Sequence, residues 1–361
     1  MNILHVISVA ASGGAEVYVK DLAKYLSEQG HNLHIAFLSS AADDNRDLNY
    51  EQNFLDDLLL SNVKTYIIGN ETRKKPWLGA LRIRRYIKNH NIDIMHTHLA
   101  YGIVFSALSK IPVIYTHHTI KPRWNSRVYS IFNTLVNEYV GISEICALAL
   151  SKYTGKRVNT IANAVTLDKF EGYIRIRAPK DHTNIAMVGR LCPQKDYINM
   201  FQALSLLDDN VKEQISVSIA GEGEKEYENV LSNYIEKYNL QKIVHLVGVT
   251  SNIPQFLYNS DVFVMSSAWE GLPIALTEAA ISGLPCIVTD VGGCSEIIKR
   301  SNNGTVVEPR NPQALADAIN SLVKDKSLIE QMSKNAVDNV DEYSISKAAD
   351  LHIDLYQSML S

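Results

Sequence analysis

The stretch Val262–Gly293, VFVMSSAWEGLPIALTEAAISGLPCIVTDVGG, decides the fold. Val262–Ser266 and Cys286–Thr289 are short, unbroken apolar runs, as expected of strands buried on both faces. Between them a Gly-Leu-Pro turn leads into Ile274–Ser282, which has helical periodicity and ends at a glycine. Strand, helix, strand in so few residues is a crossover unit, and a crossover joins parallel strands.

The same alternation extends in both directions. Strands are expected at Ile3–Val9, Asn32–Leu38, Lys64–Ile68, Ile94–His98, Val113–His117 and Tyr139–Ile142, with helices at Glu16–Gln29, Trp77–Asn89 and Ser126–Asn137. A second series places strands at Thr183–Val188, Ser216–Ala220, Val244–Val247 and Gly304–Val307, and helices at Asp196–Leu207, Lys225–Tyr238, Ile253–Tyr258 and Pro312–Lys324. Two such series predict an α/β protein of two doubly wound parallel-sheet domains, residues 1–165 and 166–344. The polar, proline-containing segment 163–182 breaks the period between them, and the helical stretch 345–361 is expected to pack back on the first. Open parallel sheets bind ligands beyond the carboxyl ends of their strands, so two facing domains would hold the active site in the cleft between them.

The chain has 361 residues, 46% hydrophobic, with a net charge of −4. That content excludes a disordered chain, and the acidic sum argues against nucleic acid as partner. The sum hides a division: residues 1–171 hold Lys+Arg 19 against Asp+Glu 15, residues 172–361 hold 16 against 24. Cys146, Cys192, Cys286 and Cys294 form no CxxC pair, the usage of a reducing compartment without structural zinc. The N-terminus lacks a basic n-region and reads as a buried strand, and no run of eighteen apolar residues occurs.

Four constellations could carry chemistry. In SVAASGGAE, Gly13 and Gly14 let the backbone turn and approach a ligand at a helix N-terminus, although a plain tight turn uses the same residues. VGRLCPQKD (188–196) sets Arg190 and Lys195 on a strand-to-helix loop, two cations suited to a diphosphate without a metal. In EGLPIALTE, the Gly271–Leu272 amides and the helix behind them form an anion site flanked by Glu270 and Glu278. Carboxylates there would repel phosphate unless each met sugar hydroxyls, and a nucleotide sugar has two sugar rings to offer. His96, His98, His117 and His118 end two strands; no cysteine or carboxylate completes a metal set, so a substrate-facing His118 is the expectation, with His5 and His31 as packing or turn residues.

As a set these motifs, with IYTHHT, ISE at 142–144, NAV at 163–165 and IAGEGE at 219–224, resemble the retaining glycosyltransferases of family 4, whose GT-B fold pairs two Rossmann-like domains. The resemblance spans essentially the whole chain. It implies that the second domain binds a nucleotide sugar, commonly UDP-linked. Arg190 and Lys195 would neutralise the leaving diphosphate with no metal cofactor, Glu278 would accept from ribose hydroxyls, and Glu270 would meet the transferred sugar beside Gly271 and Leu272. The base would lie near Glu222, Val247 and Val249, Gly14 would approach the diphosphate, and His118 would sit by the donor sugar. Gly13, His98, His118, Lys121 and Arg123 are the expected acceptor side. Thr119 and Ala164 depart from the Asp and Gly that many relatives carry there.

Two basic, tryptophan-bearing segments have the composition of a peripheral contact with anionic lipid. One packs Arg73, Lys74, Lys75, Arg82, Arg84, Arg85 and Lys88 around Trp77, Leu78, Leu81 and Ile87; the other holds Lys121, Arg123, Trp124 and Arg127. The expected reaction is transfer of a hexose or N-acetylhexosamine to a lipid-linked saccharide in bacterial polysaccharide or lipopolysaccharide synthesis, on the cytoplasmic face of the plasma membrane. A small soluble acceptor and a nucleotide-sugar epimerase are the alternatives.

Overall fold

The computed structural model describes every residue except Ser12, Pro179 and Ser251. The chain divides into two compact units, Met1–Val165 with Ile345–Ser361, and Thr166–Ser344.

The first unit is a seven-stranded sheet, β1 (Asn2–Ile7), β2 (Asn32–Phe37), β3 (Lys64–Ile67), β4 (Ile94–Thr97), β5 (Val113–His117), β6 (Glu138–Gly141) and β7 (Asn159–Thr160). All neighbours are parallel, in the order β3-β2-β1-β4-β5-β6-β7. Between the strands run α1 (Gly14–Glu28), α2 (Leu48–Leu60), α3 (Pro76–His90), α4 (Ala100–Phe105), α5 (Ser126–Phe132) and α6 (Glu144–Thr154). Local chemistry sets the boundaries. Asp47 caps α2 through Asn49 and Tyr50, Ser143 caps α6 through Cys146, and α3 begins on Pro76 and ends on a left-handed Asn91. α5 is shorter than its periodicity predicts because the chain turns at Asn133–Thr134 and drops Val136 into the core.

The second unit is a six-stranded parallel sheet of β8 (Thr183–Val188), β9 (Ile215–Ala220), β10 (Val244–Gly248), β11 (Val262–Met265), β12 (Cys286–Thr289) and β13 (Gly304–Val307), ordered β10-β9-β8-β11-β12-β13. Its helices are α7 (Tyr197–Leu206), α8 (Asp209–Lys212), α9 (Lys225–Lys237), α10 (Ile253–Tyr258), α11 (Ile274–Ile281), α12 (Cys294–Ser301), α13 (Pro312–Lys324) and α14 (Lys326–Asp338). The expectation of two doubly wound parallel sheets is borne out. In each, the order of connection reverses once, at β1/β4 and at β8/β11, and such a switch point opens a crevice beyond the strand ends. The last helix, α15 (Ile345–Leu360), packs on α1 within the first unit, where Tyr18 Oη lies 3.0 Å from His352 Nε2.

The segment that reads as a polar boundary contains a structural anchor. Arg177 is fully buried, and its guanidinium donates to the carbonyls of Ser260 (2.9 Å), Arg175 (2.7 Å), Ser282 (2.7 Å) and Leu257 (2.9 Å). Burial lowers its pKa to about 9, still cationic at neutral pH. Sequence shows only one more arginine in a polar run. The Arg177→Met variant should lose on the order of 3–5 kcal/mol in urea unfolding of the second unit, because buried carbonyls lose their donors; an unchanged midpoint would refute the anchoring role.

Candidate active site

The loops at the second switch point are interlaced through glycines. Gly189 N donates to the Ala220 carbonyl (3.0 Å), Leu191 N to that of Glu222 (2.8 Å), and Gly293 N to that of Gly271 (2.6 Å). Gly221 lies at φ +146°, where a Cβ would clash with the Gly189 carbonyl, and at Gly292 (φ +55°) a Cβ would strike the carbonyls of Glu270 and Gly271. The loops after β8 and β9 are thereby tied together, as are those after β11 and β12, and Ala268 N, donating to the Gln194 carbonyl (2.8 Å), joins the two pairs into one assembly.

This assembly joins two residues to which the sequence gives separate roles. Lys195, on the turn after β8, places Nζ 2.7 Å from Glu270 Oε1, after β11, with the side chains only 17% and 6% exposed. Ser267 Oγ donates to the same oxygen (2.8 Å) and Gln194 Nε2 to the other (3.2 Å). An ionised carboxylate accepts about four hydrogen bonds, so Glu270 keeps little capacity for a ligand, while Lys195 has further N–H donors. The turn is shaped by Asp196, in left-handed backbone (φ 45°) as the cap of α7, its pKa raised by burial. Arg190, in contrast, is exposed and has no ion pair among the described residues. Ser267 and Gln194 are not legible as site residues, since a serine and a glutamine beside charged neighbours read as solvated loop.

The remaining expected donor-side residues border the same region of this unit. Gly271 and buried Leu272 precede α11, and Glu278 is half-buried on that helix. Glu222 is exposed and engages Leu191 through its carbonyl. Val247 and Val249 stand exposed at the end of edge strand β10, where a register shift between Leu246 and Gly248 leaves Val247 outside the ladder.

In the first unit the histidines form one buried network. The pleat puts His96 and His98 on one face of β4, and β1 pairs in register so that His5 stands beside His96. His5 Nδ1 lies 3.0 Å from His98 Nε2, and His98 Nδ1 lies 3.0 Å from His118 Nε2. His96 is held by Tyr356 Oη and Thr116 Oγ1, each at 2.7 Å. His5, read as a packing or turn residue, is a buried member of this network, and His96 is fully buried with both nitrogens engaged. His117 points to the other face, onto Tyr115 Oη (3.0 Å). His5, His96 and His98 stand close enough to ligate one metal ion, yet only His5 Nε2 among their ring nitrogens lacks a hydrogen-bond partner.

At the β1 end, Gly13 and Gly14 are exposed at the start of α1. Glu16 folds back over this N-terminus and accepts from Ser8 Oγ (2.7 Å), putting a carboxylate where the helix end favours negative charge. Ser12 of the same motif lies outside the described residues. Lys121 and Arg123 are exposed, with Arg123 over the ring of Tyr101 (5.1 Å). Trp124 is half-buried against Tyr101 and Phe132, a packing residue rather than a surface one. On α3, Ile87 enters the core and Arg82 pairs with Glu71 (2.7 Å), while Arg73, in the turn before the helix, pairs with Asp44 (3.1 Å). Trp77 (62% exposed), Leu81 (52%), Arg84 and Lys88 share one outward face, with Arg85 beside them. No helix among the described residues is long and apolar enough to cross a membrane.

Two Rossmann-like parallel-sheet units of this kind define the GT-B class of glycosyltransferase. Residues 12–169 match the model of Glycosyltransferase Family 4 and residues 173–338 that of Glycosyl transferases group 1, and the chain belongs to the family 4 glycosyltransferases. It is 29% identical over 335 residues, 85% of this chain and 86% of the relative, to the UDP-Gal:alpha-D-GlcNAc-diphosphoundecaprenol alpha-1,3-galactosyltransferase of Escherichia coli. A shorter match, 32% over 117 residues covering 32% of this chain and 31% of the relative, is to the N,N'-diacetylbacillosaminyl-diphospho-undecaprenol alpha-1,3-N-acetylgalactosaminyltransferase of Campylobacter jejuni. Among solved structures, HepE of Anabaena in complex with UDP shares the fold at a TM-score of 0.82 and 18% identity, covering 99% of this chain and all of that one. The enzyme is a glycosyltransferase.

Burial lowers the pKa of His5, His118 and His352 from 6.5 to about 3, and that of His117 to about 4. The unfolded chain binds protons below pH 6.5 that the folded unit refuses, so their contribution to stability is complete above that pH and is lost as pH falls toward 4 and 3. In a Trp269→Phe variant, which leaves Trp77 and Trp124 of the first unit as reporters, urea unfolding at pH 5.5 should show that unit less stable than at pH 7 by about 1.3 kcal/mol for each histidine held neutral, more than about 5 kcal/mol once His96 and His98 join these four. Equal midpoints would contradict a neutral buried cluster.

Proposed function

We propose that the enzyme transfers a hexose or N-acetylhexosamine, with retention, from a UDP-sugar to a hydroxyl of a lipid-linked saccharide during surface-glycan synthesis. The observation that carries this reading is the cationic pair at the second switch point: Lys195 held by Glu270 and presenting its other N–H groups, with Arg190 unpaired five residues before it. Such a pair suits a diphosphate leaving group. The name of the Escherichia coli relative, with its UDP-galactose donor and diphosphoundecaprenol-linked acceptor, supports the substrate classes, as does the diphospho-undecaprenol acceptor in the name of the Campylobacter jejuni relative.

In this reading Arg190 and Lys195 neutralise the diphosphate, and the amides of Gly271 and Leu272 meet phosphate and sugar. Glu278 accepts from ribose hydroxyls, Glu270 accepts one sugar hydroxyl while orienting Lys195, and Glu222, Val247 and Val249 border the base. On the first domain Gly14 approaches the diphosphate and His118 faces the donor sugar, while Gly13, Lys121 and Arg123 serve the acceptor. Glu270, held by three donors, is a poor nucleophile, which favours a front-face route. The bond from the anomeric carbon to the diphosphate oxygen breaks with its electron pair leaving on that oxygen. The acceptor oxygen bonds to the same face of the anomeric carbon, and its proton passes to the departing phosphate. Transition-state stabilisation then comes chiefly from the two cations.

The outward face of α3, with Trp77 and Leu81 among Arg84, Arg85 and Lys88, is the proposed contact with an anionic membrane.

Lys195→Ala should lower kcat by about 10²–10³ in an assay of UDP release from a panel of UDP-sugars with a lipid-linked saccharide. Because that change strands buried Glu270, Arg190→Ala supplies the parallel test, losing activity at unchanged Tm. Full turnover in folded forms of both variants, or conversion of the UDP-sugar without any acceptor, would overturn the assignment. Separately, sedimentation with anionic liposomes at low salt should capture the protein, and Arg84→Glu with Arg85→Glu should weaken capture at least about tenfold; no capture of the parent enzyme would refute the membrane contact.

A further inference from the structure

The sequence places His98 on the acceptor side, yet both of its ring nitrogens face other histidines, His5 at 3.0 Å and His118 at 3.0 Å. It therefore has no nitrogen to offer a ligand. The chain His5–His98–His118 ends at two buried nitrogens without partners among the described residues, His5 Nε2 and His118 Nδ1. A buried polar atom left open at the end of a satisfied chain calls for an explanation.

A neutral imidazole carries one N–H and one lone pair, and burial keeps these rings neutral. Each contact in the chain joins an Nδ1 to an Nε2. Two proton arrangements satisfy both contacts. Either all three rings carry the proton on Nδ1, and His118 presents an N–H at its free edge, or all three carry it on Nε2, and His118 presents a lone pair there. Mixed arrangements leave two lone pairs or two protons facing each other. The tautomer of His118 is thus coupled through His98 to that of His5, although His5 lies on another strand.

We propose that His98, itself held by His5, is a positioning residue that fixes the tautomer and ring orientation of His118, so that its Nδ1 meets a sugar hydroxyl with a defined polarity. The proposal rests on the reading of His118 as a substrate-facing residue. The His96 branch acts differently. Held by Tyr356 and Thr116, His96 packs against the His98 ring at 4.2 Å between centroids and keeps it from rotating. A metal ion bound by His5, His96 and His98 is the competing account, and it would require His96 to give up Tyr356 or Thr116.

Three measurements test the chain. In ¹⁵N-histidine-labelled enzyme, long-range ¹H–¹⁵N NMR should find His5, His98 and His118 in one shared tautomer; mixed tautomers, or stoichiometric zinc in tag-free protein by mass spectrometry, would overturn it. The amide substitutions separate position from packing, because an Asn carboxamide stands where Nδ1 stands and a Gln carboxamide where Nε2 stands. His98→Asn keeps the bond to His118 and should retain UDP-release activity within about threefold. His98→Gln keeps only the bond to His5 and should lose about tenfold in kcat with little change in donor KM. A packing role alone would lower Tm and activity alike in both, and equal activities would defeat the proposal. His118→Ala is the control for the underlying reading: if it is fully active, that reading fails while the tautomer measurement still judges the chain, and if it is inactive while His98→Gln is unaffected, the chain alone fails.

Discussion

Parallel strands cannot be joined by a tight turn, and from that constraint the rest of the structure follows. Every connection must cross over, the crossovers cover both faces of each sheet, and the strands become uniformly buried, as β4, β11 and β12 are along their whole length. Polar chemistry is then driven to the carboxyl ends of the strands. Where the order of connection reverses, at β1/β4 and β8/β11, adjacent loops diverge and leave room. Lys195 and Glu270 follow β8 and β11, and His98 follows β4 beside β1, so the charged and titratable groups of each domain gather at its own switch point.

Burial is met differently at the two places. At the second switch point Lys195 and Glu270 face each other, and the carboxylate has further donors in Ser267 and Gln194. The histidines bond to one another, to tyrosines and to a threonine, groups that carry no negative charge to hold a second proton, and so stay neutral. One site therefore presents cationic groups and the other neutral hydrogen-bonding rings, the contrast on which the proposed reading of a nucleotide sugar and its acceptor rests.

The fold was largely legible because apolar runs and turns are local signals. Val113–His117, Thr183–Val188, Cys286–Thr289 and Gly304–Val307 have the bounds their residues predict. Elements with weaker periodicity were not: α2 carries Asn, Glu and Asp among its leucines, and α6 and α12 are short helices whose caps, Ser143 and left-handed Asn302, are clearer than their faces. The site was legible in its charged members, since Arg190, Lys195, Glu270 and Glu278 stand beside Gly and Pro in loops after strands. Its pairings were not. That Lys195 meets Glu270 depends on β8 and β11 being neighbours, which separates the partners by 75 residues in sequence. Around Trp124 the basic, tryptophan-bearing composition misled for a related reason, because composition does not say which side of a segment faces out. Trp77 is outside and Trp124 packs within.

The histidine network shows how far such dependence reaches. His96 is oriented by Tyr356, and Tyr18 is tied to His352, both on α15, the helix that closes the first domain after the whole second domain has been made. Loss of that helix would take Tyr356 and His352 away from the face of the first sheet. The face of β1 and β4 bearing His5, His96 and His98 would then be open to water, the rings would regain their ordinary basicity, and the fixed orientation of His96 against His98 would be lost. The histidine network of the first domain is therefore completed by Tyr356 and His352 of α15. A chain truncated before Ile345 would lose the buried neutrality on which the chain from His5 to His118 depends.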